Sequence, residues 1–362
     1  MSVENFYPLQ VAKLEPQTDA AVCLTFAVPE KHQAEFVFLP GQYLTLRRKF
    51  DGVEVRRSYS ICSGINDGQL RVAVKHIAGG IFSGFINQEV KAGDVLDVMP
   101  PQGNFYVEPK PDNDKNYLCI AAGSGITPVL SIIKSILEVE TDSHVTLLFG
   151  NRQLSSIMFR EELEALKNAC MQRFQWLNIL SREKQDVAIL NGRIDNKKGA
   201  ELCRHLLNLQ VIDEFFLCGP EAMISEVSRG LRAEGIAESR IRYELFAASA
   251  ADAEAVLAKH HARALQMAGR VAAVTVISDG REHAYELTAD GENILDGALD
   301  HGVDLPFACK GGVCATCKAK LIAGEVDMDL SHGLEADEIK AGYILTCQAH
   351  PVSDKVVVDF DQ

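Results

Sequence analysis

The sequence predicts three consecutive domains: an antiparallel β-barrel, an α/β domain on a parallel sheet, and a small α+β domain. Three observations carry this. Residues 1–112 run as short alternating apolar and polar segments broken by turn dipeptides. From Tyr117 the pattern changes to apolar, strand-like runs that alternate with helical stretches. The last quarter changes again, to short strands around a loop rich in cysteine and glycine. A length of 362 residues also suits two or three domains.

In the first domain the runs are Ala21–Ala27, Gln42–Arg48, Arg57–Cys62 and Gln69–Lys75. Pro40-Gly41, Asp51-Gly52 and Asp67-Gly68 supply turn signals between them, the pattern of a small antiparallel barrel. The polar, proline-containing stretch Pro109–Asn116 closes that domain at about residue 112. Over 113–246, strands are expected at Tyr117–Ala122, Val145–Phe149, Phe174–Leu180, Glu214–Cys218 and Arg242–Phe246. Helices are expected to begin near Pro128, Ser155, Lys198 and Pro220. Such alternation feeds a parallel sheet with helices on both faces. Residues 247–267 are rich in alanine and carry few core signals, so a partly helical linker is expected. In 268–362 the expected elements are strands at Val271–Ser278 and Glu282–Leu287, a helix at Ile294–His301, then strands at Lys318–Ile322 and Val356–Asp359.

Composition narrows the function. The chain is 47% hydrophobic and 24% charged, as in a soluble globular protein. No apolar run approaches the ~20 residues of a membrane span, so no membrane partner is expected. Met1–Leu14 lacks a basic stretch followed by an apolar core, so a cytoplasmic protein is expected. A net charge of −14 argues against nucleic acid, whose phosphates select a basic face. The charge is uneven: Ala268–Gln362 holds 7 Lys and Arg against 17 Asp and Glu. The plain reading is a soluble acidic domain; the sharper one is that several of Asp327, Asp329, Glu335, Asp337 and Glu338 sit near the cluster and steer a basic partner.

The sharpest motif is Cys309-x4-Cys314-x2-Cys317, followed after 29 residues by Cys347. This spacing is that of a 2Fe-2S site, in which a tight loop supplies three thiolates and a distant segment the fourth. Gly311 and Gly312 let the loop wrap the cluster and turn N–H groups toward sulfur. Zinc sites more often pair two Cys-x2-Cys units, which are absent here. On these four ligands the last ~95 residues resemble a plant-type ferredoxin, which implies a β-grasp fold.

Arg56-Arg57-Ser58-Tyr59-Ser60 falls on an expected strand and is similar to the Arg-x-Tyr-Ser motif of the ferredoxin–NADP reductase family. The resemblance implies that Arg57 meets a flavin phosphate, Ser58 lies alongside, Tyr59 stacks on the isoalloxazine and Ser60 bonds near N5. A guanidinium fork suits phosphate and an aromatic face suits a flat ring. The stretch from Val74 and Lys75 to Gly80, Ile81, Phe82 and Ser83 resembles the family's second flavin segment, with a helix N-terminus for the pyrophosphate. His76 is read as structural. The flavin could be FAD or FMN; Pro101–Phe105 resembles the turn in FAD-using members, so FAD is expected.

Gly123-Ser124-Gly125-Ile126-Thr127-Pro128 follows a strand and opens a helix. Glycines there let a pyrophosphate approach the helix N-terminus, and proline fits the first turn. The loop is similar to the reductase family's Gly-x-Gly-Ile-Thr-Pro. With it go Cys218-Gly219-Pro220, which the resemblance places beside the nicotinamide, and Glu244-Leu245-Phe246, whose aromatic would cover the flavin. Ser60, Cys218 and Glu244 are the implied catalytic residues. Ser181-Arg182-Glu183 with Arg193 resembles a 2′-phosphate pocket, with Arg152 on the adenosine side, so NADPH is expected over NADH.

In domain order the chain resembles the reductase components of multicomponent oxygenases, and within these the reductases of phenylacetyl-CoA epoxidases, a bacterial di-iron system of phenylacetate catabolism. That implies an NADPH-dependent oxidoreductase passing electrons from NADPH through FAD and 2Fe-2S to an oxygenase. A ring-hydroxylating dioxygenase, a desaturase or a hybrid-cluster protein could be served by the same parts. A scaffold with a dead flavin domain is the non-enzymatic alternative, and the intact Arg57, Tyr59, Gly123, Thr127 and Cys218 set argues against it.

Overall fold

The computed structural model describes residues 6–195, 198, 208–247 and 250–362. It divides into two compact units, Tyr7–Glu244 and one that includes Leu245–Gln362. No helix among the described residues is long and apolar enough to cross a membrane.

The first unit opens with six antiparallel strands: β1 (Tyr7–Thr18), β2 (Ala21–Ala27), β3 (Tyr43–Phe50), β4 (Val53–Ser60), β5 (Leu70–Lys75) and β6 (Val95–Gln102). They pair in the order β4-β3-β6-β1-β2-β5. A bridge between Ile61, just past β4, and Val72 on β5 closes the sheet on itself, which removes its free edges. Alternation places Leu24, Leu44, Leu46, Ile61, Val72 and Val74 inside, all with no exposed surface. Helix α1 (Ile81–Gln88) plugs the barrel with Phe82, Phe85 and Ile86.

Five parallel strands follow: β7 (Asn116–Ala122), β8 (His144–Asn151), β9 (Phe174–Leu180), β10 (Glu214–Cys218) and β11 (Ile241–Glu244), in the order β11-β10-β7-β8-β9. The chain therefore reverses direction at β7, which makes the crevice above β7 and β10 a topological switch point. Helices α2 (Ile126–Val139), α3 (Arg160–Ala169) and α4 (Glu221–Ala233) accompany the sheet. The second helix begins at Arg160 rather than near Ser155, because Leu154–Ser156 forms a separate 3₁₀ turn and Phe159 takes a left-handed conformation before the helix. Most of the stretch expected to be helical after Lys198, with Cys203, lies outside the described residues. The last strand stops at Glu244, two residues short of the expected end.

Barrel and parallel sheet are joined by one apolar core and by polar ties. Cys23, Cys62, Ala73 and Phe105 share a core with Ile126, Val129, Ile132 and Phe216. Ser131 Oγ donates to the Ser63 carbonyl at 2.7 Å, and Ile65 N–H donates to Ser135 Oγ at 3.1 Å. Lys134 lies between Asp67 and Glu162, and Arg71 grips both Glu162 oxygens at 3.2 Å. Burial alone would lower the Lys134 ammonium's pKa; the hydrogen bonds to Asp67 and Glu162 raise it instead.

In the second unit, β12 (Val271–Ser278), β13 (Arg281–Thr288), β14 (Lys318–Ala323), β16 (Tyr343–Leu345) and β18 (Lys355–Asp359) form a mixed sheet ordered β13-β12-β18-β14-β16. A small ribbon pairs β15 (Val326–Met328) with β17 (Ala349–Pro351). The stretch expected to be a partly helical linker is a helix, α5 (Ala250–Met267), whose side chains bond Met328, Asp327 and Asp329 of this unit. Helix α6 (Ile294–Asp300) packs on the sheet through Ile294, Leu295 and Ala298. From α5, Lys259 Nζ donates to the Met328 and Asp329 carbonyls at 2.6 and 3.1 Å. Arg263, 5% exposed, reaches Asp327 and Asp329. His260 and His350 both meet Asp329 Oδ2, at 2.7 and 3.1 Å. Burial would raise the Asp329 carboxyl, but His350, Arg263 and His260 hold it well below the usual carboxylate range.

That clamp narrows the expected acidic face. Asp329 is buried and Asp327 is paired with Arg263, while Glu338 bonds Lys318 and its own helix cap. Glu335 and Asp337 are exposed, as expected.

Because, among the described residues, the barrel and the parallel sheet share a core that uses none beyond Cys218, a chain ending at Ala247 is expected to fold. It should show a single cooperative melting transition and retain flavin. An insoluble or flavin-free product on size-exclusion chromatography would show that the C-terminal unit is required for that core.

Candidate functional site

The coenzyme loop starts where β7 ends. Gly123–Gly125 makes one 3₁₀ turn and leads directly into α2. Gly125 has no room for a side chain: a Cβ there would lie 2.1 Å from the Cys218 carbonyl oxygen. Thr127 is buried, and its hydroxyl donates to the Ser124 carbonyl at 3.0 Å, closing the loop from within. Pro128 is buried in the first turn of α2, where a missing N–H costs nothing. Cys218 ends β10 between Ala121 on β7 and Glu244 on β11. Gly219 packs tightly against Ala122 and Met223, and Pro220 stands exposed at the start of α4.

Glu244 connects this crevice to the barrel. Ser60 Oγ donates to Glu244 Oε2 at 3.1 Å, across 184 residues of sequence. Burial raises the Glu244 carboxyl to about 8, with the Ser60 hydroxyl opposing the rise. Cys218 is fully buried, and that burial, with Glu244 beside it, holds its thiol well above the ordinary range. Ser60, Cys218 and Glu244 are thus brought together. Phe246 is exposed and belongs to the second unit, beyond the end of β11.

On β4, Arg56 and Arg57 take different roles. Arg56 is buried and bound to Glu54, whereas Arg57 is exposed, with one N–H on the Arg56 carbonyl at 2.7 Å. Ser58 Oγ meets Thr45 Oγ1 at 3.3 Å. Tyr59 packs its ring 6.1 Å from Phe82; burial raises its phenol, with Arg57 opposing. Val74 and Phe82 are core residues, so their side chains hold the strand and helix in place. Ser83 Oγ accepts the Ile77 N–H and donates to the Gly80 carbonyl, which shapes the turn. No side chain caps α1, and Ile77 and Ile81 beside its first turn are 66% and 64% exposed. An exposed guanidinium, uncapped helix N–H groups and exposed apolar surface together suit the pyrophosphate and flat rings of a flavin dinucleotide.

Lys75, at the end of β5, lies over the coenzyme loop, 3.5 Å from where a Gly123 Cβ would be. Burial and then Arg152 lower its pKa. Arg152 and Arg182 emerge side by side after β8 and β9, because Ser181 N–H donates to the Asn151 carbonyl and Arg182 N–H to the Arg152 carbonyl. Both residues are exposed, as is Arg193 in the loop past Gly192. These cations suit a phosphorylated ribose.

The four cysteines of the C-terminal motif gather in two pairs, Cys309 with Cys314 and Cys317 with Cys347. Two irons need two thiolates each, so the pairing fits a 2Fe-2S centre. The Cys314 thiol and then the N–H groups of Gly311, Val313 and Cys314, working against burial, bring Cys309 down to about 6. Lys310, Gly312 and Ala315 all adopt positive φ, which curls the loop. Thr316 and Gln348, which no motif singles out, bond Cys314 and Cys347; adjacency to a ligand is their only signal in the sequence.

Comparison with known proteins agrees with this layout. Residues 9–106 match the oxidoreductase FAD-binding domain, 119–229 the oxidoreductase NAD-binding domain and 276–352 the 2Fe-2S iron-sulfur cluster binding domain. The chain is 46% identical to one of the subunits of the 1,2-phenylacetyl-CoA epoxidase of Escherichia coli K12, covering 99% of this chain and 98% of that one. It is 32% identical to the ferredoxin reductase component of 3-ketosteroid-9-alpha-monooxygenase from Rhodococcus rhodochrous, covering 97% and 96%. The crystal structure of phthalate dioxygenase reductase shares the fold, with a TM-score of 0.59 at 21% identity over 98% of each chain.

Since the fold raises the Glu244 pKa from 4.5 to about 8, the protonated form is the one it favours. The stability this confers is complete below about pH 4.5 and is lost as pH rises through 8. Glu244→Gln should therefore melt close to wild type below pH 4.5, increasingly above it between pH 4.5 and 8, and above it by a steady margin beyond pH 8. Parallel melting curves across that range would show that Glu244 is solvated and ordinary.

Proposed function

Because the chain belongs to the family of oxygenase reductase components that join FAD-binding, NAD-binding and 2Fe-2S domains, we infer that it takes electron pairs from NADPH and delivers them singly to a bacterial di-iron oxygenase, phenylacetyl-CoA epoxidase. The observation that carries the redox reading is the Ser60–Glu244 hydrogen bond. It brings the end of the flavin strand to the C-terminal edge of the nucleotide sheet, beside Cys218.

When bound, the nicotinamide, flavin and iron–sulfur groups supply the electron chemistry, with the flavin converting a two-electron donor into one-electron transfers. The chain supplies position and charge. Arg57 and the open end of α1 bind the flavin's phosphates, and Tyr59, braced by Phe82, presents its ring. Ser60 offers a hydroxyl whose direction Glu244 sets. Gly125, pressed on Cys218, leaves the helix N-terminus bare for a pyrophosphate. Cys218 and Glu244, kept protonated by burial, place no full negative charge beside the nicotinamide at neutral pH. Arg182 and Arg193 select the 2′-phosphate, with Arg152 on the adenosine side. Cys309, Cys314, Cys317 and Cys347 hold the cluster. The 46% identity along nearly the whole chain supports the choice of epoxidase.

Cys314→Ser separates the two halves of the relay. NADPH should still bleach the flavin spectrum at the wild-type rate, while the 2Fe-2S signal and electron delivery to the epoxidase are lost. Full epoxidase turnover in this variant would overturn the relay.

Coenzyme choice is tested at Arg182. A charge-assisted hydrogen bond contributes about 1.5–3 kcal/mol, so Arg182→Ala should raise the Kd for NADPH roughly 10- to 100-fold and leave NADH nearly unchanged. Equal losses for both coenzymes would remove Arg182 from 2′-phosphate recognition.

A further inference from the structure

Most hydrogen bonds to the ligand sulfurs come from the main chain and are fixed by the loop. Gly311 N–H donates to Cys309 Sγ at 3.2 Å and Cys309 N–H to Cys314 Sγ at 3.5 Å. Gln348, like Thr316 beside Cys314, donates from its side chain, and it spans the two segments that carry ligands. Gln348 is 7% exposed. Its Nε2 shares its two N–H groups among three acceptors: the Cys347 carbonyl at 2.9 Å, the Lys310 carbonyl at 3.2 Å and Cys347 Sγ at 3.6 Å.

The surrounding structure holds the carboxamide in that position. Gln348 N–H donates to the Leu345 carbonyl at 2.9 Å, and its own carbonyl accepts Asp329 N–H at 2.9 Å. Gly312 leaves space for the side chain: a Cβ there would come within 3.1 Å of Gln348 Cγ, and φ at Gly312 is +73°. The clamp on Asp329 thereby anchors the backbone from which Gln348 reaches the sulfur.

One-electron reduction of a 2Fe-2S centre adds a negative charge that is shared by its sulfurs. A donor on a ligand sulfur favours the reduced form and raises the potential. We propose that Gln348 sets the reduction potential of the centre through its hydrogen bond to Cys347 Sγ, as a positioning residue for electron delivery. This rests on the 2Fe-2S reading given above.

The test is a redox titration of the holoprotein followed by electron paramagnetic resonance, which detects only assembled, reduced centres. Gln348→Met keeps the side chain's length and removes the N–H. At a fixed ambient potential its reduced-to-oxidised ratio should fall about tenfold, a shift of about 59 mV for a one-electron couple. Gln348→Glu keeps the shape and replaces the donor with an acceptor, so its potential should also fall. The rate at which NADPH reduces the flavin should be unchanged in both. A purely structural role would lower cluster content without moving the potential of the centres that remain. If the Met variant holds no cluster, the Glu variant decides. Unmoved potentials overturn the proposal. A wild-type protein with no 2Fe-2S signal would instead overturn the reading on which it rests.

Discussion

The contact between Gly125 and the Cys218–Gly219 peptide governs the coenzyme site. With the Cys218 carbonyl oxygen 2.1 Å from where a Cβ would stand, no other residue fits without moving a main chain. Hydrogen bonding within the parallel sheet sets β7 beside β10 and β10 beside β11. Close packing of the two loops then brings their glycines together at the switch point. Cys218 and Glu244 follow from that arrangement, because they are the last residues of neighbouring strands in one register. A side chain at Gly125 would separate the loops and take the crevice floor with them.

The barrel must be held against this sheet with comparable accuracy, since Ser60 and Glu244 come from opposite sides of the boundary. An apolar core alone resists separation but tolerates sliding. The network of Arg71, Glu162, Lys134 and Asp67 supplies direction. Its members are partly buried, so each bond is less screened than a surface pair, and removal of one partner would strand a charge. Ser131 and Ser135 pin the stretch that immediately follows the flavin strand, at Ser63 and Ile65. A few ångströms of slip at that boundary would separate Ser60 from Glu244.

What is legible in the sequence is what is local. The first three cluster cysteines, the Arg-Ser-Tyr-Ser strand and the glycine loop each sit within about ten residues, and turn dipeptides and strand runs locate most of the described strands but miss β1, β6, β15, β16 and β17. The Ser60–Glu244 bond is not readable as a contact, since no pattern links residues 184 apart. Charge misleads where burial decides. Asp327 and Asp329 read as surface acid, yet a helix some 65 residues earlier supplies their cations. That helix itself reads as a linker, because its docking is polar and hydrophobic periodicity does not register polar docking. Thr127 and Ser83 stand in motifs that suggest contact with ligand, and their hydroxyls shape their own turns.

The clamp on Asp329 also bears on how such a chain could be recombined. Lys259, His260 and Arg263 are committed to Met328, Asp327 and Asp329, and Asp252 meets His332 at 3.0 Å. A graft that takes the iron–sulfur module from residue 268 onward would leave these cations behind. It would expose a carboxylate whose environment was built to keep it charged out of water. The transferable module begins ahead of Ala250, and fusion joints drawn from cysteine motifs alone fall on the wrong side of that helix.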